Sequence, residues 1–191
     1  MNIKYTASVI TGRCSMQEFI KDYVNVEYFQ GFCTACCYYG KNWSCTPHDF
    51  DVLGFLKSYD DIRLIGVKIK IDRRTTRGLK CKDFQVPPEV TAIVDIEKAK
   101  LTKTLLKEER ANPGSTYLFA GQCEICPVCA RVDGLPCRHP EKMRYSLESV
   151  GGDVTKIAKE ILGLDILWMK DNKIPEYLTL ICALLLKNQG E

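Results

Sequence analysis

The chain has 191 residues, of which 46% are hydrophobic and 27% charged, and its formal net charge at pH 7 is +3. These values are typical of one folded domain with an apolar core, here 1–191, and they exclude a chain that is disordered throughout. The basic excess is smaller than that of a dedicated nucleic-acid binder, so no nucleic-acid partner is expected.

The first predicted helix begins at Ser15, because Ser15 and Glu18 form a capping box that satisfies two free backbone N–H groups. Apolar periodicity predicts the later elements in chain order. They are a helix from Thr46-Pro47 to near Tyr59 with Phe50, Leu53 and Leu56 inward, a half-buried strand over 65–71, a long helix over 89–110, a short strand over 116–120, a helix from Pro140 to Val150, a helix capped by Asp153, and a terminal strand pair over 165–169 and 177–186.

Together these elements predict an α+β fold, with a small mixed or antiparallel sheet of about four strands, helices packed on one side and cysteine-rich metal-binding loops. The last apolar run, 178–186, could equally be a buried helix, but it is too short to cross a bilayer, which needs about 20 residues. No signal-peptide pattern is found at the start. We therefore expect a cytoplasmic protein with no membrane partner.

Cysteine is the unusual residue of this composition, with 11 copies. An odd number without an export signal argues against a disulfide framework. In a reducing compartment, clustered thiols more often bind metal, so the cysteine segments are the first candidates for function.

The second cysteine segment, residues 123–137, carries the strongest signal. Its ligands Cys123, Cys126, Cys129 and Cys137 have the spacing C-x2-C-x2-C-x7-C. Three thiols at equal short spacing can each take one iron corner of a [4Fe–4S] cluster, and the fourth can close the set. Zinc is the alternative, since four cysteines can also form a tetrahedral site.

The first cysteine segment, residues 33–45, supplies Cys33, Cys36 and Cys45 in the pattern C-x2-C-x8-C, with Cys37 as an extra thiol. It could hold a second cluster or complete a site shared with the second segment. Three firm ligands would leave an open iron corner, unless another side chain fills it. The candidates for that position are Cys37, Cys14, Cys81 and His48, whereas Cys182 lies in an apolar run and is interpreted as a small buried hydrophobe.

Arg138, His139 and Arg144 follow the last cysteine and are candidates for holding an anionic substrate at the start of the helix predicted there. The alternative is that the cations only balance thiolate charge. A basic loop could dock an acidic redox partner protein, or it could simply be solvated. This loop contains Arg73, Arg74, Arg77, Lys80 and Lys82.

The two segments, with YGKNWSC over 39–45 and PCRHPEKMRYSLE over 136–148, resemble the DUF2284 family of predicted metal-binding proteins across about residues 30–155. The family usually has Cys-Pro-Pro at the end of the first motif, where this chain has Cys45-Thr46-Pro47, and proline is common at the position of Cys37. The resemblance implies metal binding and supplies no substrate.

Three functions follow from these patterns and stay open at this point. The first is an iron–sulfur protein that exchanges electrons with a partner enzyme. The second is a redox enzyme with an open-corner cluster that acts on a small anionic substrate. The third is a structural or interaction module stabilised by zinc.

Overall fold

The structure, a computed structural model, describes residues 3–76, 79, 81 and 85–188. Arg77, Lys80 and Lys82 of the basic loop lie outside the described residues. The elements are β1 (Tyr5–Ser15), α1 (Met16–Tyr23), α2 (Val26–Cys33), α3 (Val52–Lys57), β2 (Asp61–Ile71), α4 (Pro88–Ala111), β3 (Thr116–Leu118), a 3-10 turn (Ala130–Asp133), α5 (Val154–Glu160) and β4 (Tyr177–Leu186).

A four-stranded antiparallel sheet organises the chain, in the order β1-β2-β4-β3. In the central pairing, Ile65 of β2 lies opposite Cys182 of β4. β3 is the short edge strand, and the second cysteine segment leaves the sheet from it. The predicted α+β class with about four strands is confirmed.

Each face of the sheet carries its own apolar core. On one face, Ile62 packs in a cluster with Phe19 of α1, Leu56 of α3 and Ile157 of α5. On the other face, Val67 and Leu184 pack in a cluster with Ile93 and Leu105 of α4. The prediction that helices lie on one side is wrong, because β2 and β4 have apolar side chains at both odd and even positions and both faces must be covered.

Local capping signals are confirmed at two helices. The hydroxyl of Ser15 accepts a bond from the Glu18 N–H at 3.2 Å, and the Glu18 carboxylate accepts one from the Ser15 N–H at 3.0 Å. Asp153 caps α5 by accepting a bond from the Lys156 N–H at 2.9 Å. The long helix predicted over 89–110 is also confirmed as α4.

The helix predicted from Thr46 is wrong in its start and in its inward face. α3 begins at Val52, and Leu53 remains 38% exposed. Thr46 instead belongs to the first cysteine segment, because its carbonyl accepts a bond from the Gly40 N–H at 2.9 Å. Its side chain is 1% exposed.

The helix predicted from Pro140 to Val150 is wrong as well, since these residues form turns. Backbone bonds to distant segments compete with helical ones here. The Ser146 N–H donates to the Ser44 carbonyl at 3.0 Å, and the Tyr145 carbonyl accepts from the Phe119 N–H at 2.8 Å.

At the C-terminal end, 177–186 is confirmed as a strand, but 165–169 forms none, and only an isolated bridge joins Lys170 to Lys173. Two further elements, β1 and α2, are not predicted by the sequence patterns. Within the ranges described, no helix combines the length and the apolar character needed to span a bilayer.

Candidate metal centre

The four cysteines of the second segment surround one small cavity. Its volume is about 20 Å³, and its lining also includes Trp43, Ile125 and Met143. The cysteines are Cys123, Cys126, Cys129 and Cys137. Burial raises the pKa of the Cys123 thiol, and the nearby sulfurs of Cys137, Cys129 and Cys126 raise it further. The predicted ligands therefore line one cavity, although their role in binding metal stays a prediction.

The cysteines of the first segment also lie near one another. Burial raises the pKa of Cys45 to about 11, and the charges of Cys36 and Cys33 add to this effect. The turn that holds the first pair is closed by the Cys36 N–H, which donates to the Cys33 carbonyl at 2.9 Å. Cys37 is exposed and lines a groove shared with Cys123, Cys126 and Cys129 of the second segment.

A buried polar network joins the two segments. The Asn42 side-chain amide donates to the Cys123 carbonyl at 2.9 Å, and the Cys123 N–H donates to the Ser44 hydroxyl at 2.8 Å. Ser44 in turn donates to the Asn42 side-chain oxygen at 2.9 Å. Both side chains are buried, so these bonds fix the backbone at Cys123 relative to the first segment.

The Arg131 side chain forms a second set of hydrogen bonds that connects the two cysteine segments. Its guanidinium donates to the carbonyl of Asn42 at 3.0 Å, to that of Cys45 at 2.7 Å and also to that of Pro47. The same group stacks over the Trp43 ring, 4.7 Å from its centroid. A planar group with several fixed donors suits this position better than a lysine ammonium would.

The chemistry of the donor set fits a metal that prefers sulfur. Thiolates select zinc, copper(I) and iron–sulfur clusters. The backbone N–H of His139 donates to the Cys137 sulfur at 3.4 Å, a contact of the kind that tunes a metal–thiolate centre. The buried Thr46 hydroxyl, next to Cys45, has no bonding partner within the described chain, so it is a donor still available for an acceptor.

The thiols of the second segment line their cavity without forming a closed metal site within the described chain. Among residues 3–76, 79, 81 and 85–188, no three side chains of cysteine, histidine, aspartate or glutamate form a group that could hold a metal ion.

Arg138 and His139 line the cavity of the second segment, but Arg144 does not. Arg138 donates to the Val128 carbonyl at 2.9 Å. Arg144 points its guanidinium at Glu109 of α4, with its Nε 3.0 Å from one carboxylate oxygen. The predicted anion site is therefore divided between two places, and its helix N-terminus is wrong because no helix starts there.

The remaining candidate ligands lie elsewhere. Burial raises the pKa of Cys14 to about 11, with Glu18 and Asp61 as its charged neighbours. Cys182 is 0% exposed in β4, as expected of a small hydrophobe, and Cys81 is buried. His48 packs against both Phe50 and Tyr145, and its Nε2 lies 3.1 Å from the Ser149 carbonyl oxygen.

Sequence patterns do not identify Asn42, Ser44, Arg131 or Glu148 as parts of this site. Burial raises the pKa of the Glu148 carboxyl, which accepts a bond from the Gly121 N–H at 3.4 Å. A weak signal exists for the first two, because Asn42 and Ser44 flank Trp43 next to Cys45, and polar side chains that are buried need hydrogen-bond partners.

Comparison with known proteins agrees with the cysteine motifs. A family model described as predicted metal-binding protein (DUF2284) matches residues 20–186, which confirms the resemblance and extends it in both directions. No curated protein and no solved structure matches the chain.

Proposed function

We propose that this chain, which belongs to the DUF2284 family of predicted metal-binding proteins, is an iron–sulfur protein that exchanges electrons with a partner protein. The [4Fe–4S] cluster would be bound by the second segment. Its ligands are Cys123, Cys126, Cys129 and Cys137.

The observation that carries this proposal is the cavity that these cysteines share with apolar side chains. Four cysteines that line one cavity, three of them at C-x2-C-x2-C spacing, supply the usual donor set of a [4Fe–4S] cluster. When bound, the cluster supplies one-electron storage. Trp43, Ile125 and Met143 line the cavity with apolar groups, which would influence the reduction potential.

Cationic groups near the second segment balance the negative charge of four thiolates. Arg138 lines the cavity, and Arg131 lies on the 3-10 turn that follows Cys129. The backbone N–H of His139 donates to the Cys137 sulfur and stabilises negative charge there. These residues therefore act on the cofactor, not on a substrate.

For the first segment we propose a second metal site with Cys33, Cys36 and Cys45. Its support is the C-x2-C-x8-C spacing and the turn in which the Cys36 N–H donates to the Cys33 carbonyl at 2.9 Å. The effect of Cys36 and Cys33 on the pKa of Cys45 agrees with this proximity. Cys37 lies within the segment but is exposed, and it is the weaker candidate for a fourth ligand.

Zinc is a second candidate cofactor, and the size of the cavity favours it. A volume of about 20 Å³ is close to the about 10–15 Å³ that one water molecule needs. A single ion is nearer to that size than a cluster, for which the loop would have to open. In that case the protein would be a zinc-stabilised structural or interaction module.

Metal analysis of protein purified without oxygen decides between the two. The iron–sulfur proposal expects a brown protein with equal amounts of iron and acid-labile sulfide, and the zinc proposal expects a colourless protein with zinc only. Cys129→Ser should lower the metal content, and Cys182→Ser, which alters a buried thiol of β4, serves as the matched control. A folded wild-type chain with neither element would refute both.

An electron-transfer role also needs a partner. Of the basic loop, Arg73 and Arg74 are described, and Arg74 is paired with Asp72 at 2.8 Å. The expectations of a redox partner, of no nucleic acid and of a cytoplasmic location stay predictions.

A further inference from the structure

We propose that the cleft between α4 and the second cysteine segment binds a small organic anion with an apolar body. The cleft is a second site, distinct from the metal centre. It is lined by protein side chains and needs no metal to form. Neither the family match nor the cysteine spacing assigns it. It would place a ligand directly against Cys123, which also lines the cleft.

The size and walls of the cleft fit a small molecule. Its volume is about 500 Å³, within the about 300–1,000 Å³ of typical ligand sites. Tyr117 and Phe119 from the edge of the sheet, Leu106 from α4 and Ile125 from the second segment form mainly apolar walls. Such walls favour an aromatic or aliphatic body.

The charges at the cleft favour a negative ligand. Two of its four cations already have partners, since Lys98 lies 2.7 Å from Glu124 and Arg144 is bound to Glu109. Lys103 makes no ion pair within the described ranges, and the Lys142 ammonium is 3.8 Å from its nearest carboxylate. Lys103 is therefore available to an anion, and Lys142 is only loosely paired, with Glu141. The lining also holds the carboxylates of Asp95 and Glu124, so its four cations leave it with a net charge of +2.

A fluorescent pair of probes tests the proposal on the full chain. 1-Anilinonaphthalene-8-sulfonate has an aromatic body with one sulfonate, and N-phenyl-1-naphthylamine has the same body without charge. Both emit more strongly in apolar surroundings, so fluorescence titration gives a Kd for each. The titration needs no catalytic activity, and iron and zinc are measured separately on the same samples.

Two pairs of variants locate the binding. Ala99→Phe fills the cleft and should weaken both probes about tenfold or more. Ala92→Phe, on an exposed part of the same helix outside the cleft, should leave both unchanged. Lys103→Met should weaken only the sulfonate, by about 2–5-fold, as expected for one partly exposed charge pair. Lys107→Met is its control, because Lys107 lies on the same helix but does not line the cleft, and it should leave the affinity for the sulfonate unchanged.

Equal effects of Ala99→Phe and Ala92→Phe would overturn the site, because binding would then lie elsewhere. Equal affinities for the two probes, or a sulfonate affinity unchanged by Lys103→Met, would overturn its preference for anions. Should Ala99→Phe fail to fold, the comparison of Lys103→Met with Lys107→Met still tests whether the sulfonate binds in the cleft. A metal-free protein that binds the sulfonate as described would refute the proposed function and leave this site intact.

Discussion

Replacing Arg131 with alanine is expected to loosen the connection between the two cysteine segments. The change removes the guanidinium bonds to the carbonyls of Asn42, Cys45 and Pro47, and it removes the cation that stacks on Trp43. The Asn42 carbonyl keeps only the bond from the Cys45 N–H, at 3.0 Å. Since the first segment supplies three candidate ligands, both the stability and the metal content should fall.

The size of the effect follows from the contacts. A hydrogen bond from a charged donor contributes about 1.5–3 kcal/mol, and a partly exposed cation–π contact about 0.5–1 kcal/mol. Arg131 is only partly buried, so water can reach some of the carbonyls once the side chain is gone. We therefore expect a loss of about 2–4 kcal/mol in the free energy of unfolding, less than the sum of the contacts.

Urea unfolding under oxygen-free conditions measures this loss, with iron and zinc content determined on the same samples. Arg131→Lys should lose most of the same energy, because one ammonium cannot bond three separate carbonyls in the geometry of a guanidinium. Arg138→Ala is the matched control for the unfolding measurement alone, since Arg138 follows the second segment and makes one exposed bond, to Val128. The metal content of this variant is not compared, because Arg138 also lines the candidate metal cavity. The cost of Arg138→Ala in the free energy of unfolding should be about 0–1 kcal/mol.

A loss in Arg131→Ala no larger than that in Arg138→Ala would refute the reasoning. It would mean that the segments are held together without the guanidinium. Full recovery by Arg131→Lys would also contradict it, because charge alone, and not the three-way bonding, would then be responsible.

Three further predictions concern single side chains. Cys129→Ser should reduce the metal bound per chain far more than Cys37→Ser, and equal losses in both would remove the distinction between their roles. Arg144→Met should lower the free energy of unfolding by about 2–4 kcal/mol, because it leaves the half-buried Glu109 carboxylate without a counter-charge. A double-mutant cycle with Glu109→Gln should show strong coupling, and additive costs would contradict the pair. Burial lowers the pKa of His48 below 6.5, so the folded chain binds fewer protons than the unfolded one and loses stability as the pH falls below this value, by at most about 1.4 kcal/mol per pH unit. Urea unfolding at about pH 7.5 and about pH 5.5 should show this loss in the wild type and not in His48→Gln, and an equal loss in both would assign it to other groups.

Locally encoded parts of the fold could be predicted from the sequence. The capping box at Ser15 and the long apolar stripe of α4 depend on residues within a few positions of each other, and both are confirmed. β1 is not predicted, although Tyr5 to Val9 alternate apolar and polar side chains, because the alternation breaks at Ile10 and most residues of this edge strand are exposed. Tertiary bonding overrides the helical spacing of Met143, which lies in irregular backbone, and of Leu147 and Val150, which lie in a turn.

The same contrast holds at the candidate site. Spacing within each segment predicts which cysteines lie together, because neighbours in a short loop stay close in space. The contacts that join the segments could not be predicted, since Asn42 reaches Cys123 across 81 positions and Arg131 reaches Cys45 across 86. Residues so far apart are brought together only by the sheet and its connections.

The weak anchoring of α2 affects how the first segment responds to a metal. This helix leads directly into Cys33 and buries none of its side chains, and its N-terminal end is attached through the Asn25 N–H, which donates to the Gly151 carbonyl at 2.8 Å. Peptide held by so little apolar contact opens often, and its amide protons exchange quickly with solvent. A metal ion bound by Cys33 and its neighbours would slow that exchange. Amide protection along 26–36 would therefore report metal binding by the first cysteine segment separately from metal binding by the second.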